Sequence, residues 1–152
     1  MGKDSASYPI EYAKQFFEAY RGKRKFFRLR LMTGESVIEE KLKYLDPLLK
    51  EFLQFMEVEG HLGNTLVHFY GVHGENVSPL SMLTNSGIQE RMNPFYYYIL
   101  PHLLNKGDVA HNISTNQNNL ITHHDIYAND FKILDEKTPV DGISPMTQNL
   151  RY

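Results

Sequence analysis

The chain has no cysteine, which excludes disulfides, thiolate zinc sites and a cysteine nucleophile within it. It has no apolar run approaching the ~18 residues of a membrane span, so no transmembrane helix is expected. The opening "MGKDSASYPI" has no apolar core of signal-peptide length, and Ala6 stands where a myristoylation signal from Gly2 wants serine or threonine. Charge of one sign is also scarce. The formal net charge of −2 calls for neither nucleic acid nor an anionic membrane as partner.

What is present suits a folded domain. With 152 residues and 41% hydrophobic content, the chain can bury one real core, and a single domain over 1–152 is expected. Pro9, Ile10, Ala13, Phe16, Phe17 and Tyr20 have helical spacing, and Gly22 suits the stop. From Lys25 to Met32, Phe27, Leu29 and Leu31 alternate with Arg28 and Arg30, the period-two pattern of a strand. Ile38, Leu42, Leu45, Leu49, Phe52 and Met56 predict an amphipathic helix near 37–58. Asp46-Pro47 either kinks that helix or starts a second one, and the kink is favoured.

Thr65–Tyr70 and Phe95–Leu100 read as two further strands. The polar segment between them reads as a long loop, and 105–119 as another. Asp125–Leu134 reads as a short helix, and the tail from about 135, with Pro139, Gly142 and Pro145, as irregular. The strand, helix, strand order implies an α/β fold with a partial sheet of parallel type flanked by helices.

The stretch "LVHFYGVHGE", 66–75, carries the strongest chemical suggestion, because it puts His73 just past the end of a strand and beside Gly74. Open α/β sheets bind ligands at that edge, although a lone loop histidine is more often incidental. His68 lies within a strand, His61 and His102 sit near turns, and His111 is in a polar segment. The adjacent pair His123-His124 cannot turn both rings to one metal from a regular element. "RGKRKFFRLR", 21–30, is either one basic face of a strand or an anion patch on Arg28 and Arg30. Glu90-Arg91 reads as a structural ion pair ahead of the strand "FYYYIL" rather than a catalytic pair. Asn76-Val77-Ser78 and Asn112-Ile113-Ser114 are glycosylation sequons, relevant only to a secreted protein.

Three ordered blocks carry a family resemblance. "GHLGNTLVHFYGVHGEN" resembles the alkaline phosphatase superfamily segment in which a glycine-containing turn and "nTlv" lead to a strand ending Asp-His-Gly. Glu90-Arg91-Met92-Asn93-Pro94, followed by an aromatic-aliphatic strand closed by Pro101, is similar to its sulfatase-like branch of largely uncharacterised animal proteins. Thr122-His123-His124-Asp125-Ile126-Tyr127-Ala128 resembles the branch's Thr-x-x-Asp-Ile-x-Ala helix. The likeness covers roughly residues 9–134 and implies the C-terminal portion of an alkaline phosphatase-like domain.

In metal-dependent branches the Asp and His of Asp-His-Gly hold a divalent ion that neutralises the transferring group and activates the nucleophile. The resemblance therefore implies His73 as metal ligand and zinc or calcium as cofactor. It also implies a sulfated or phosphorylated ligand and a secretory setting. Val72 stands in the place of the aspartate, and valine cannot ligate. No histidine precedes the long helix, where "LMTGES" stands, and Glu35 is not an equivalent ligand. The nucleophile pattern Cys/Ser-x-Pro-x-Arg does not occur. No catalytic residue is assigned. The expectation is a truncated or degenerate sulfatase-like protein, inactive as an isolated chain. The alternatives are a non-catalytic module for an anionic ligand and the C-terminal half of a hydrolase completed by a further N-terminal region.

Overall fold

The computed structural model describes residues 6–31, 40–74, 79–102, 104–105 and 107–134. The irregular tail expected from 135, Glu35 and the Asn76 sequon lie outside those residues. The chain divides into two compact units, Met1–Ile99 and Leu100–Tyr152.

The first unit opens with α1, Ser7–Ala19, which buries Ile10, Ala13 and Phe17 on one face, as the spacing predicts. Helix α2, Glu40–Val58, runs unbroken through Pro47. It packs against α1 and contributes Leu45 and Met56 to the buried interior. Ala6, Ile10 and Leu45 form the core cluster, with Leu29, Leu31, Leu48, Leu49 and Phe52 packed around it. Full burial of Ile10 or Met56 stabilises by about 1.5–3 kcal/mol each. At the helix surfaces Lys14 Nζ lies 2.6 Å from Glu51 Oε1, joining α1 to α2. Helix α2 stops at Gly60, whose φ of +76° a side chain would strain, and a single 3-10 turn follows at His61–Gly63.

The segment 24–31 shows the alternation expected of it. Lys25, Phe27, Leu29 and Leu31 are partly buried, while Arg24, Phe26, Arg28 and Arg30 are exposed. Phe27 stacks on Phe16 at 4.7 Å between ring centroids and meets Phe17 edge-on at 5.7 Å. Among the described residues, however, the segment joins no ladder.

The sheet consists of β1, Val67–Tyr70, and β2, Tyr96–Ile99. They pair antiparallel with Val67 opposite Ile99 and Tyr70 opposite Tyr96. This corrects the expected parallel-type sheet, leaving a mixed α/β unit with one antiparallel ribbon among the described residues. The reason lies in the return path. Gly71 N–H donates to the Phe95 carbonyl at 3.0 Å and Gly74 N–H to the Arg91 carbonyl at 3.1 Å, so β2 starts where β1 ends and must run back along it. The segment expected as a loop between the strands contains α3, Pro79–Leu83, and α4, Asn85–Met92.

The second unit contains α5, Gly107–Asn116, and α6, His123–Leu134. Helix α5 replaces the loop expected at 105–119. Its buried positions are Asn112 and Asn116 rather than apolar residues, which is why hydrophobic periodicity passes over it. Burial of Asn112, at 8% exposure, also removes its side chain from the surface where a sequon would be used.

Candidate functional site

The turn after β1 is held from both sides. Helix α4 starts at Thr84, whose Oγ1 accepts the Gly87 N–H at 3.0 Å, and ends at Asn93, whose backbone and side-chain amides both reach the Gln89 carbonyl. The end of this helix supports Gly74. A Cβ at position 74 would lie 2.5 Å from the Glu90 carbonyl oxygen and 2.8 Å from Arg91 Cα, so only glycine fits without movement. Gly71 is tighter than average too, its would-be Cβ 3.3 Å from the Phe95 ring. The two stretches singled out in the sequence, Val72-His73-Gly74 and Glu90-Arg91, therefore meet in space. They do so through main chain, Gly74 lying against the Glu90 and Arg91 backbone.

His73 and Val72 are both exposed on this turn. The Nδ1–H of His73 donates to the Gly74 carbonyl at 2.6 Å. Histidine ligands commonly use such a backbone contact to orient the ring. The donor set around it is thin. Val72 supplies no oxygen, and among the described residues no three His, Asp or Glu side chains stand close enough to share an ion. The residues described do not fit a divalent metal centre, and no chemical step is routed through one. Arg28 and Arg30 lie elsewhere in the same unit, on the outward face of the segment 24–31.

The chain belongs to the family described as "Protein of unknown function (DUF229)". That family's sequence profile matches residues 1–142. No curated protein and no solved structure matches the chain. The DUF229 match spans both compact units and all three blocks on which the resemblance rests.

Two further features of this DUF229 chain fasten its helices. His61 is 5% exposed, placed between the rings of Phe17 at 5.4 Å and Phe55 at 5.6 Å. Its Nε2 lies 3.1 Å from Glu18 Oε1, which also accepts Arg21 at 2.6 Å, while Arg21 reaches on to Glu59 at 2.8 Å. The Arg21 guanidinium and then the His61 ring hold the Glu18 carboxyl below its ordinary value. This cluster ties the end of α1 to the end of α2 and is a fastening. The second feature is the start of α6. Thr122 Oγ1 donates to Asp125 Oδ2 at 2.6 Å, and the Thr122 N–H reaches the same oxygen at 2.9 Å. A signal for it does exist, in the form of Thr-x-x-Asp before an apolar run, a capping box. The third block of the resemblance is thereby a helix start.

Proposed function

We propose that this chain is a degenerate sulfatase-like protein of the sulfuric and phosphoric ester hydrolase kind, without turnover of its own. One observation carries the reading: the Val72-His73-Gly74 turn seated on Glu90-Arg91. The resemblance predicts both stretches and their order, and a glycine enforced by backbone 2.5 Å away is what a fixed turn geometry at the end of β1 requires. The same turn lacks the carboxylate that metal-dependent relatives use, with Val72 in its place and 61% exposed. His73 is the remaining half of a ligand pair. Among the described residues, zinc or calcium, the ions implied by the resemblance, would find no group of three His, Asp or Glu side chains to complete a site.

The test is turnover of 4-nitrophenyl sulfate and 4-nitrophenyl phosphate by highly purified chain, with zinc or calcium added. The expected rate equals the protein-free blank, unchanged in His73→Ala. Metal-dependent turnover abolished by His73→Ala would overturn the reading, since loss of a catalytic group costs orders of magnitude.

A second reading, a non-catalytic module for a sulfated or phosphorylated ligand, is favoured by a different observation. Arg24, Arg28 and Arg30 share one exposed face with Phe26, which is 88% exposed. Retention of this face does not depend on the catalytic residues.

A further inference from the structure

We infer that the seam between α1 and α2 is a docking groove for a cationic amphipathic helix of another protein. The inference goes beyond both proposed functions and uses neither the His73 turn nor the segment 24–31. Along the seam lies an open groove of about 350 Å³, lined by Lys14, Glu51, Gln54, Phe55, Val58 and Glu59. Its floor is apolar. Val58, the last residue of α2, is 81% exposed, and Phe55 three residues earlier is only partly buried.

The rim is charged, and its charges do not balance. Lys14 Nζ lies between Glu11 at 3.3 Å and Glu51 at 2.6 Å, and Arg21 Nη2 between Glu18 at 2.6 Å and Glu59 at 2.8 Å. Each cluster sets two carboxylates against one cation, so one carboxylate is in excess in each. Lys14 holds the Glu51 carboxyl below its ordinary range, as Arg21 and then His61 do for Glu18, and both carboxyls are ionised near neutral pH. An apolar floor between two negative ends is complementary to a helix whose apolar stripe runs between two positive ones. Spacing narrows the occupant further. Glu51 and Glu59 stand eight residues apart, roughly 12 Å at ~1.5 Å per helical residue. Lysines at i and i+7 of a partner helix span about that distance on one face, with leucines at i+3 and i+4 over Phe55 and Val58. A second copy fits less well. Its exposed Lys43 and Lys50 have the spacing, but Asp46 and Pro47 stand where the leucines are needed.

The probe is a fluorescein-labelled helical peptide of about 18 residues with that lysine and leucine pattern, followed by anisotropy against the full chain. Four comparisons accompany it: the peptide with its lysines replaced by glutamate, a scrambled peptide of the same composition, the Glu51→Lys/Glu59→Lys double variant, and Val58→Asn. The parent peptide should bind, and each of the four changes should weaken it by about tenfold or more. Saturating peptide should also shift the Val58 methyl resonances of the unaltered protein, a readout that does not depend on any variant folding. Equal binding by the scrambled peptide would reduce the seam to a charged surface and overturn helix docking. Unmoved Val58 methyls would overturn the groove as the binding place. Absence of binding would overturn the proposal outright, and if the double variant also dispersed a self-associated parent, the occupant would be a second copy instead.

Discussion

A methyl group on Gly74 would meet the Glu90 carbonyl oxygen at 2.5 Å, and neither backbone can yield without disturbing the end of α4 or the close of the β1–β2 ribbon. Gly74→Ala should therefore destabilise by about 1–3 kcal/mol, the cost of overpacking against fixed atoms. Chemical denaturation would show it as a lower midpoint at unchanged slope, and a neutral result would mean that the turn is looser than described. Two residues earlier the argument reverses. Val72 is 61% exposed, so Val72→Asp buries no charge and should cost little stability. It places a carboxylate next in sequence to His73, whose ring Nδ1 is held by the Gly74 carbonyl at 2.6 Å. Zinc should then raise the melting temperature of Val72→Asp more than that of the parent, since metal that binds only the folded state stabilises it. Equal responses would remove His73 from consideration as a residual ligand. Glu18 gives a pH prediction with a definite sign. Its carboxyl is held below the ordinary 4.5 by Arg21 and His61, so its contribution is present above that value and is lost as the pH falls through the lower folded value. Glu18→Gln should lower stability at neutral pH and flatten the acid limb below about pH 4.5, so that the difference from the parent shrinks as the pH falls.

At the scale of elements, the segment 24–31 separates pattern from pairing. Phe27 touches Tyr12, Phe16 and Phe17, whereas its neighbour Phe26 is 88% exposed. Phe27→Ala should cost about 2–4 kcal/mol and Phe26→Ala less than about 0.5, a contrast that thermal denaturation of the two variants would check. That contrast is readable from Phe27, Leu29 and Leu31 alternating with arginines. The absence of a ladder is not, because alternation reports which face is covered and says nothing of what lies alongside. The same limit explains the ribbon. "VHFY" and "YYYI" announce strands, but their antiparallel register depends on Gly71 and Gly74 meeting Phe95 and Arg91, contacts invisible to periodicity. Helices α1 and α2 are legible because Ile10, Ala13, Phe17, Leu45 and Met56 are apolar and inward. Helix α5 is hidden, since Asn112 and Asn116 face inward there. Of the candidate site, the identity of the turn is legible and its support by α4 is not.

For the molecule as a whole, the surface is richer in large apolar side chains than its modest charge would suggest. Tyr8, Tyr12, Tyr44, Val58, Met82, Leu83, Met92 and Leu120 are all more than 60% exposed. Among the described residues no helix is long and apolar enough to cross a membrane. Apolar area of this kind marks binding faces or association-prone chains. The folded protein should bind an apolar fluorescent dye at neutral pH with an enhancement above that of a compact monomeric control. Sedimentation should show association growing with concentration. A dye signal at the control level would indicate that these side chains are dispersed rather than contiguous.

The clasp between Gly74 and Arg91 also sets an order of events. Strands β1 and β2 cannot pair until everything from Gly71 to Phe95 has been gathered, and the entropy of closing that segment falls due before the ribbon's bonds form. A formed α4 shortens the span to be closed, and Thr84 starts α4. Removing that cap in Thr84→Ala should therefore slow refolding in stopped-flow experiments, with little change in the unfolding limb, because the helix belongs to the nucleus on which the ribbon closes.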